Sequence, residues 1–196
     1  VSNALSQLII AKTGGATVTM AVGLIDVFTL YIQSGTLFTS TYGITQDVTG
    51  GFLIIFDGAT LRLGGTNSLP ASSGYGLDAN SNVDYAGSTQ SVANAAVYGN
   101  LWITAAGNKT AIVPFTTLGN FTLSAGTFTS AITVTHYIGG NWLMSGGTFT
   151  NTNITIQLNG DDDQSISSTG NFRNLVVNKT TGLVTLASHV TVSNLL

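Results

Sequence analysis

One segment of this chain is written three times. QLIIAKTGG (Gln7 to Gly15), NLWITAAGN (Asn100 to Asn108) and NLVVNKTTG (Asn174 to Gly182) hold matching places in a longer pattern. The second and third copies also share their approach. VDYAGSTQSVANAAVYGNLWI (Val83 to Ile103) aligns with IQLNGDDDQSISSTGNFRNLVV (Ile156 to Val177) once one residue is inserted in the Asp run. The first and second share a downstream stretch, QSGTLFTS (Gln33 to Ser40) against SAGTFTS (Ser124 to Ser130). Self-similarity on this scale marks a stacked-repeat architecture, in which each unit buries its apolar face against the next. The long repeats begin near residues 5, 98 and 172, and the whole chain, 1–196, reads as a single solenoid. The step from Leu8 to Leu101 is longer than the step from Leu101 to Leu175. Most of the excess falls in GGTNSLPASSGYGLDANSN, residues 64–82, whose Gly, Ser and Asn content reads as a surface loop or an irregular extra half-turn.

A shorter period lies inside the long one. GNFTLSAGTFTS (Gly119 to Ser130) and GNWLMSGGTFTN (Gly140 to Asn151) match almost position for position, and DVFTL (Asp26 to Leu30) anticipates GFLII (Gly51 to Ile55). A coil of about 21–24 residues accommodates two or three short strands and their turns, with neighbouring coils paired in parallel about 4.8 Å apart. The expectation is an all-β, right-handed parallel β-helix (a β-solenoid) of eight or nine coils, a rod roughly 40 Å long by that spacing. Abundant Thr, 24 Gly and no Glu leave almost no scope for helix. Strand alternation then stacks Phe128 on Phe149, Phe121 on Trp142 and Leu123 on Met144 in the interior.

Charge is scarce: five Lys+Arg and eight Asp+Glu, all eight being Asp. A nucleic-acid groove needs clustered cations, so that class is excluded. Cys is absent, which removes disulfides, thiol chemistry and any reading of redox compartment. The mean hydropathy is +0.37. Its most apolar stretch, Val18 to Ile32, is too short to span a bilayer, which takes about 20 residues, and it contains Asp26. No membrane span is expected. The absent initiator Met and the truncated third copy read as a segment of a longer protein.

The stretch Arg62 to Ile103, the pattern GNW…SGGTFT and the pattern NGDDDQSI…NFRNLVV together resemble a module that recurs in very long secreted surface proteins of Bacteroidota. The resemblance covers essentially the whole chain. It implies a β-helical stalk or adhesin segment exported by the type IX secretion system and placed at the cell surface, without supplying a ligand. Members of that family usually carry a small polar pair where this chain has Asp161 to Asp163, which marks that spot for a local role.

The candidate sites are few. Asp161, Asp162 and Asp163 could offer oxygen ligands to Ca²⁺, but their spacing fits neither an EF-hand nor the nonapeptide calcium repeat, and a solvated turn is the expected reading. His136 and His189 lack ligand-spaced partners and are read as outward strand residues. Asp47, Asp57, Asp78 and Asp84 look scattered, with Arg62 and Arg173 far apart, so no acid–base group, no cofactor and no enzyme are expected. Trp102, Ile9 and Val176 share one outward position of the long repeat. That suggests a lateral contact or a sugar-stacking platform, or else residues covered by a neighbouring loop. Outward Thr127, Thr129, Thr148 and Thr150, with Thr133 and Thr135 nearby, form a short ladder of the kind ice-binding solenoids extend over many coils. The leading expectation is a structural or adhesive rod without catalysis. A carbohydrate-binding β-helix comes second and an ice-binding solenoid third. Its partners would be neighbouring repeats of the same chain, surface glycans or other cell-surface proteins. Uncapped ends would permit end-to-end or lateral self-association.

Overall fold

The computed structural model describes residues 5–23, 25–46, 49–95 and 97–194. Their short runs of Thr, Val, Ile and aromatics, broken by Gly and Asn, form strands of two to ten residues. Every pairing among these strands is parallel. A parallel partner needs a crossover, and here the crossover is the rest of the coil. The chain is a β-solenoid of nine coils, and its one described helical element is a 3-10 turn at Thr13–Gly15.

Three sides can be followed. The second side is one continuous nine-stranded sheet, running from Thr17–Thr19 through Asn82–Tyr85, Asn100–Ile103 and Trp142–Met144 to Val184–Leu186. The first side precedes it in each coil and is split in two sheets. One runs from Leu5–Ala11 to Gly74–Leu77, the other from Val97–Tyr98 to Asn174–Val177. The third side begins with Gln90–Val92, Asn108–Ala111, Thr127–Ser130 and Thr148–Phe149, and ends with the pair Asn171–Phe172 and Thr191–Val192. The stretch Val18 to Ile32, apolar enough to invite a membrane reading, contributes to the strand Thr17–Thr19 and supplies most of Ile25–Ser34.

Alternation puts i and i+2 on one face, so each inward position becomes a column through the stack. One column on the second side reads Leu37, Leu61, Val83, Leu101, Phe121, Trp142, Ile166. All seven are at most 1% exposed. Phe121 and Trp142 stack with ring centroids 4.3 Å apart, and Phe128 and Phe149 stack at 6.0 Å. Leu123 is paired with Met144. The expected interior neighbours are therefore neighbours.

Coil length varies more widely than the sequence matches imply. Asn82 and Asn100, bonded across adjacent coils of the second side, are 18 residues apart, whereas Asn141 and Ser165, bonded in the same way, are 24 apart. The short coil turns through Gly99, where a Cβ would collide with the backbone oxygens of Asp78 and Ser81. Gly140 is similarly pressed on the backbone of Gly119. The asparagines next to these corners are stacked. Asn100 Oδ1 accepts from Asn120 N, Asn120 Oδ1 from Asn141 N, and Asn141 Oδ1 from Ser165 N, each at 2.7 Å. The repeated Gly-Asn of YGNLWI, LGNFTL and GGNWLM is thus a corner that satisfies the next coil's backbone.

The segment 64–82 is not a surface loop throughout. Gly74–Leu77 is a full rung paired with Phe52–Ile55, and Leu69 is buried at 1% exposure. The irregular part runs over the third side and is pinned there. Asn67 Nδ2 donates to Tyr42 O, Gln90 Nε2 to Asn67 O and Asn94 Nδ2 to Leu69 O.

Phe149 is 7% exposed and touches Phe128, Trp142 and Phe172. Truncating it to Ala should cost about 3–5 kcal/mol of unfolding free energy in urea titration, as large-to-small core changes do. A loss under about 1 kcal/mol would mean that the aromatic column does not carry the stack.

Candidate functional site

The long sequence repeat does not coincide with the structural one. Ile9 and Val176 lie on the first side, in different sheets, while Trp102 lies on the second. The shared outward position read from the alignment is therefore corrected. Ile9 faces Tyr31, Val176 faces Gln157, and Trp102 stands between Asp84 and Thr122. The copies drift because the coils have unequal lengths, so matching sequence positions land on different sides. Trp102 still points outward, flanked along its strand by the fully buried Leu101 and Ile103, and is itself half-buried.

The row that holds Trp102 gathers charge that looked scattered. Arg62 and Asp84 are Cα partners, and Arg62 Nε lies 3.4 Å from Asp84 Oδ2. The Arg62 guanidinium sits 5.3 Å from the Phe38 ring centroid, one rung earlier. Asp84 Oδ1 accepts a 2.6 Å hydrogen bond from Thr104 Oγ1. Burial raises the Asp84 carboxyl above its usual range, opposed by Thr104, Arg62 and Lys109. Asp57 and Asp78 also meet, at one corner: Asp78 Oδ2 accepts from Asp57 N at 3.2 Å, and Asp57 Oδ1 from Asn80 N at 3.0 Å. Asp47 lies outside the described residues.

The Asp run is an inter-coil brace. Asp161 Oδ1 accepts from Thr180 Oγ1 and Asp163 Oδ1 from Leu183 N at 2.8 Å. The turn's carbonyls face a lysine: Lys179 Nζ donates to Gly160 O, to Asp162 O at 2.7 Å and to Gln164 Oε1 at 2.9 Å. The same device recurs, buried, nearer the N-terminus. Lys109, 0% exposed, donates to Gly87 O, Ser88 O, Ala105 O and Ala106 O at 2.9–3.0 Å. Gln90 and Gln164 tie the corresponding turns, each accepting from the turn glycine's N–H (Gly87, Gly160). Desolvation pushes the Lys109 ammonium below its ordinary value and Asp84 pulls it up. The glutamines coincide in the repeat alignment, but the lysines stand nine residues after Asn100 and five after Asn174, which hid the pairing. Among the described residues no group of three or more His, Asp or Glu is placed to share a metal ion.

His136 is corrected outright: it points inward and is 0% exposed. Its ring stacks on Phe115 at 4.0 Å, its Nδ1 accepts from Phe115 N, and its Nε2 is buried without a partner. Alternation explains the error. The buried positions of Val134–Ile138 are Val134, His136 and Ile138, so His136 shares the inward face with two apolar residues. His189 is exposed. The Thr ladder occupies the third side, with Asn108, Thr127 and Thr148 in one row and Thr110 with Thr129 in the next.

Burial lowers the His136 pKa from 6.5 to about 4. Between those values the unfolded chain binds a proton that the folded chain refuses, so stability is full above pH 6.5 and falls as pH drops toward 4. The loss attributable to this residue is on the order of 3 kcal/mol. Urea titrations across that window should show a shallower pH dependence for His136→Phe than for the unaltered chain. Equal slopes would contradict the buried neutral imidazole.

Lys109→Met should destabilise by about 2–4 kcal/mol, since it strands carbonyls that now accept from an ammonium. Lys179→Met should cost less, because its turn is open to water. Equal losses measured for the two variants would contradict the difference in burial. No protein-family model, no curated protein and no solved structure matches this chain.

Proposed function

We propose that this chain is a rigid structural or adhesive rod, a segment of a secreted bacterial cell-surface protein that works by holding out surface rather than by catalysis. The observation that carries the reading is the use made of its ionisable groups. Lys109, Lys179, Asp57, Asp78, Asp84, Asp161 and Asp163 each hydrogen-bond a neighbouring coil, by side chain in every case. Such chemistry stiffens a stack. The resemblance of Arg62 to Ile103 to modules of Bacteroidota surface proteins supports export by type IX secretion and a place at the cell surface. Neighbouring repeats of the same chain are its first partners.

A second reading, carbohydrate binding, is favoured by Trp102 on the uninterrupted second side. Ice binding has less support, because the paired Thr rows cover only a few rungs.

Two measurements test the rod. Residues 120–140 make one complete turn in register, since Phe121 pairs with Trp142 and Asn120 bonds Asn141. Their excision should leave a folded, cooperatively melting rod about 4.8 Å shorter by small-angle scattering, as expected of a quasi-one-dimensional stack. Collapse of the fold, or loss of a polysaccharide-cleaving activity through Asp57→Asn, would overturn the reading.

Inward columns also run out into solvent at the last coil. Val177 is 55% and Leu186 59% exposed, while their partners Leu158 and Ile166 are fully buried. Leu5, 49% exposed, stands likewise over buried Val27 at the first coil. The chain should therefore associate end to end with rising concentration in sedimentation velocity, and Leu186→Lys should suppress that association. A monomer at every concentration would contradict it.

A further inference from the structure

We propose that the outward row Phe38–Arg62–Asp84–Trp102 binds an uncharged glycan chain laid along the axis of the solenoid. The proposal sharpens the carbohydrate reading and stands apart from the rod, because a rod that binds nothing and a rod that binds glycans have the same length and the same stack.

The four residues occupy consecutive rungs of one row: Phe38 is paired with Arg62, Arg62 with Asp84 and Asp84 with Trp102. At about 4.8 Å per rung the row spans roughly 14 Å. Its floor is, among the described residues, the only sheet that continues through all nine coils, so the spacing of its side chains is fixed before any ligand arrives. Among the described residues, the one ion pair and the one cation–aromatic contact both lie in this row, beside the only tryptophan that points outward.

The charge state selects the ligand. Arg62 is 47% exposed, yet its charge is matched by an Asp84 carboxylate whose side chain is 6% exposed and whose second oxygen is held by Thr104. An anionic ligand would have to compete with the carboxylate already paired with Arg62, and the second cation near that carboxylate, Lys109, is 0% exposed. A cation finds a carboxylate that is covered. The Trp102 ring, the guanidinium donors that Asp84 does not engage and the hydroxyl of Thr122 remain, on successive rungs along the strip. The ion pair engages the guanidinium through Nε, one of five N–H donors that the group carries. An apolar protein partner would want a wide patch without such polar interruptions. A neutral sugar chain has the complementary groups: C–H faces that lie on an aromatic ring, and hydroxyls that accept from a guanidinium and exchange hydrogen bonds with a threonine.

Tryptophan fluorescence reads this directly, because Trp142 is sealed in the core against Phe121 while Trp102 borders solvent. The intact chain is titrated with soluble neutral polysaccharides (a β-glucan, a mannan, a galactan) and with an acidic one (alginate), at low and high salt. Expected is a saturable emission change with at least one neutral polymer, unaltered by salt because no net charge is involved. Trp102→Thr, which copies Thr122 on the next rung and removes the reporting fluorophore, should weaken that binding about tenfold or more by isothermal titration calorimetry, while near-ultraviolet circular dichroism still reports the Trp142 stack. Arg62→Gln should weaken it as well. Binding of alginate alone with steep salt dependence, no response to any neutral polymer, or full binding by a folded Trp102→Thr variant would each overturn the proposal. If Trp102→Thr fails to fold, Arg62→Gln decides, since its side chain is half in solvent: unchanged affinity there overturns the proposal.

Discussion

The structure depends on one constraint, the repeat distance of the parallel strand ladder. Every coil must return to its starting point one rung higher, about 4.8 Å along the axis, whatever its length in residues. Inward side chains are thereby forced into columns, and columns of flat rings satisfy the spacing well: Phe121 over Trp142 and Phe128 over Phe149 lie within 15° of parallel. Backbone at the corners is forced equally close. That closeness leaves no room for a Cβ at Gly99 and makes an asparagine side chain the natural acceptor for the N–H of the coil above.

The same constraint explains how a chain with so few charges uses them. A turn that folds back at each corner leaves carbonyl oxygens that the ladder does not engage. In two copies of the long repeat a glutamine ties the turn from inside and a lysine from further along the chain satisfies its carbonyls. Burying the Lys109 ammonium is costly, yet with four carbonyl acceptors it is a fully hydrogen-bonded group, the condition under which a buried charge is tolerated. His136 is the opposite case. Its ring packs as an aromatic among aromatics, and one nitrogen goes without a partner.

Much of the architecture was legible in the sequence, for a physical reason. Two short periodicities, alternation within a strand and the near-constant step from one coil to the next, are both imposed by the ladder, so residues that obey them announce their neighbours. Phe128 and Phe149, or Leu123 and Met144, could be paired from their offset alone. The longer similarity, among the three copies that begin near residues 5, 98 and 172, was a weaker guide. It records shared segments but not the number or length of the coils between them, and it set Ile9, Trp102 and Val176 in a register that the fold does not keep. The irregular segment misled for a related reason: its turn-rich composition hides a rung, Gly74–Leu77, built from two glycines, a tyrosine and a leucine.

The sequence by itself determined the class of fold, the approximate coil length and the interior aromatic stack, because those follow from periodicity and side-chain alternation. Only the tertiary structure decided which distant polar residues meet. Arg62 reaches Asp84 across one coil, and Lys109 reaches the turn at Gly87 across another. Such contacts depend on how much chain is taken up at each corner, and corners obey no fixed period. A short step on the second side, Asn82 to Asn100, and a long one, Asn141 to Ser165, each climb one rung with different amounts of chain. An offset of a single position moves a side chain from the core to the surface. The row around Trp102 exists for that reason, as a product of coil length rather than of any motif.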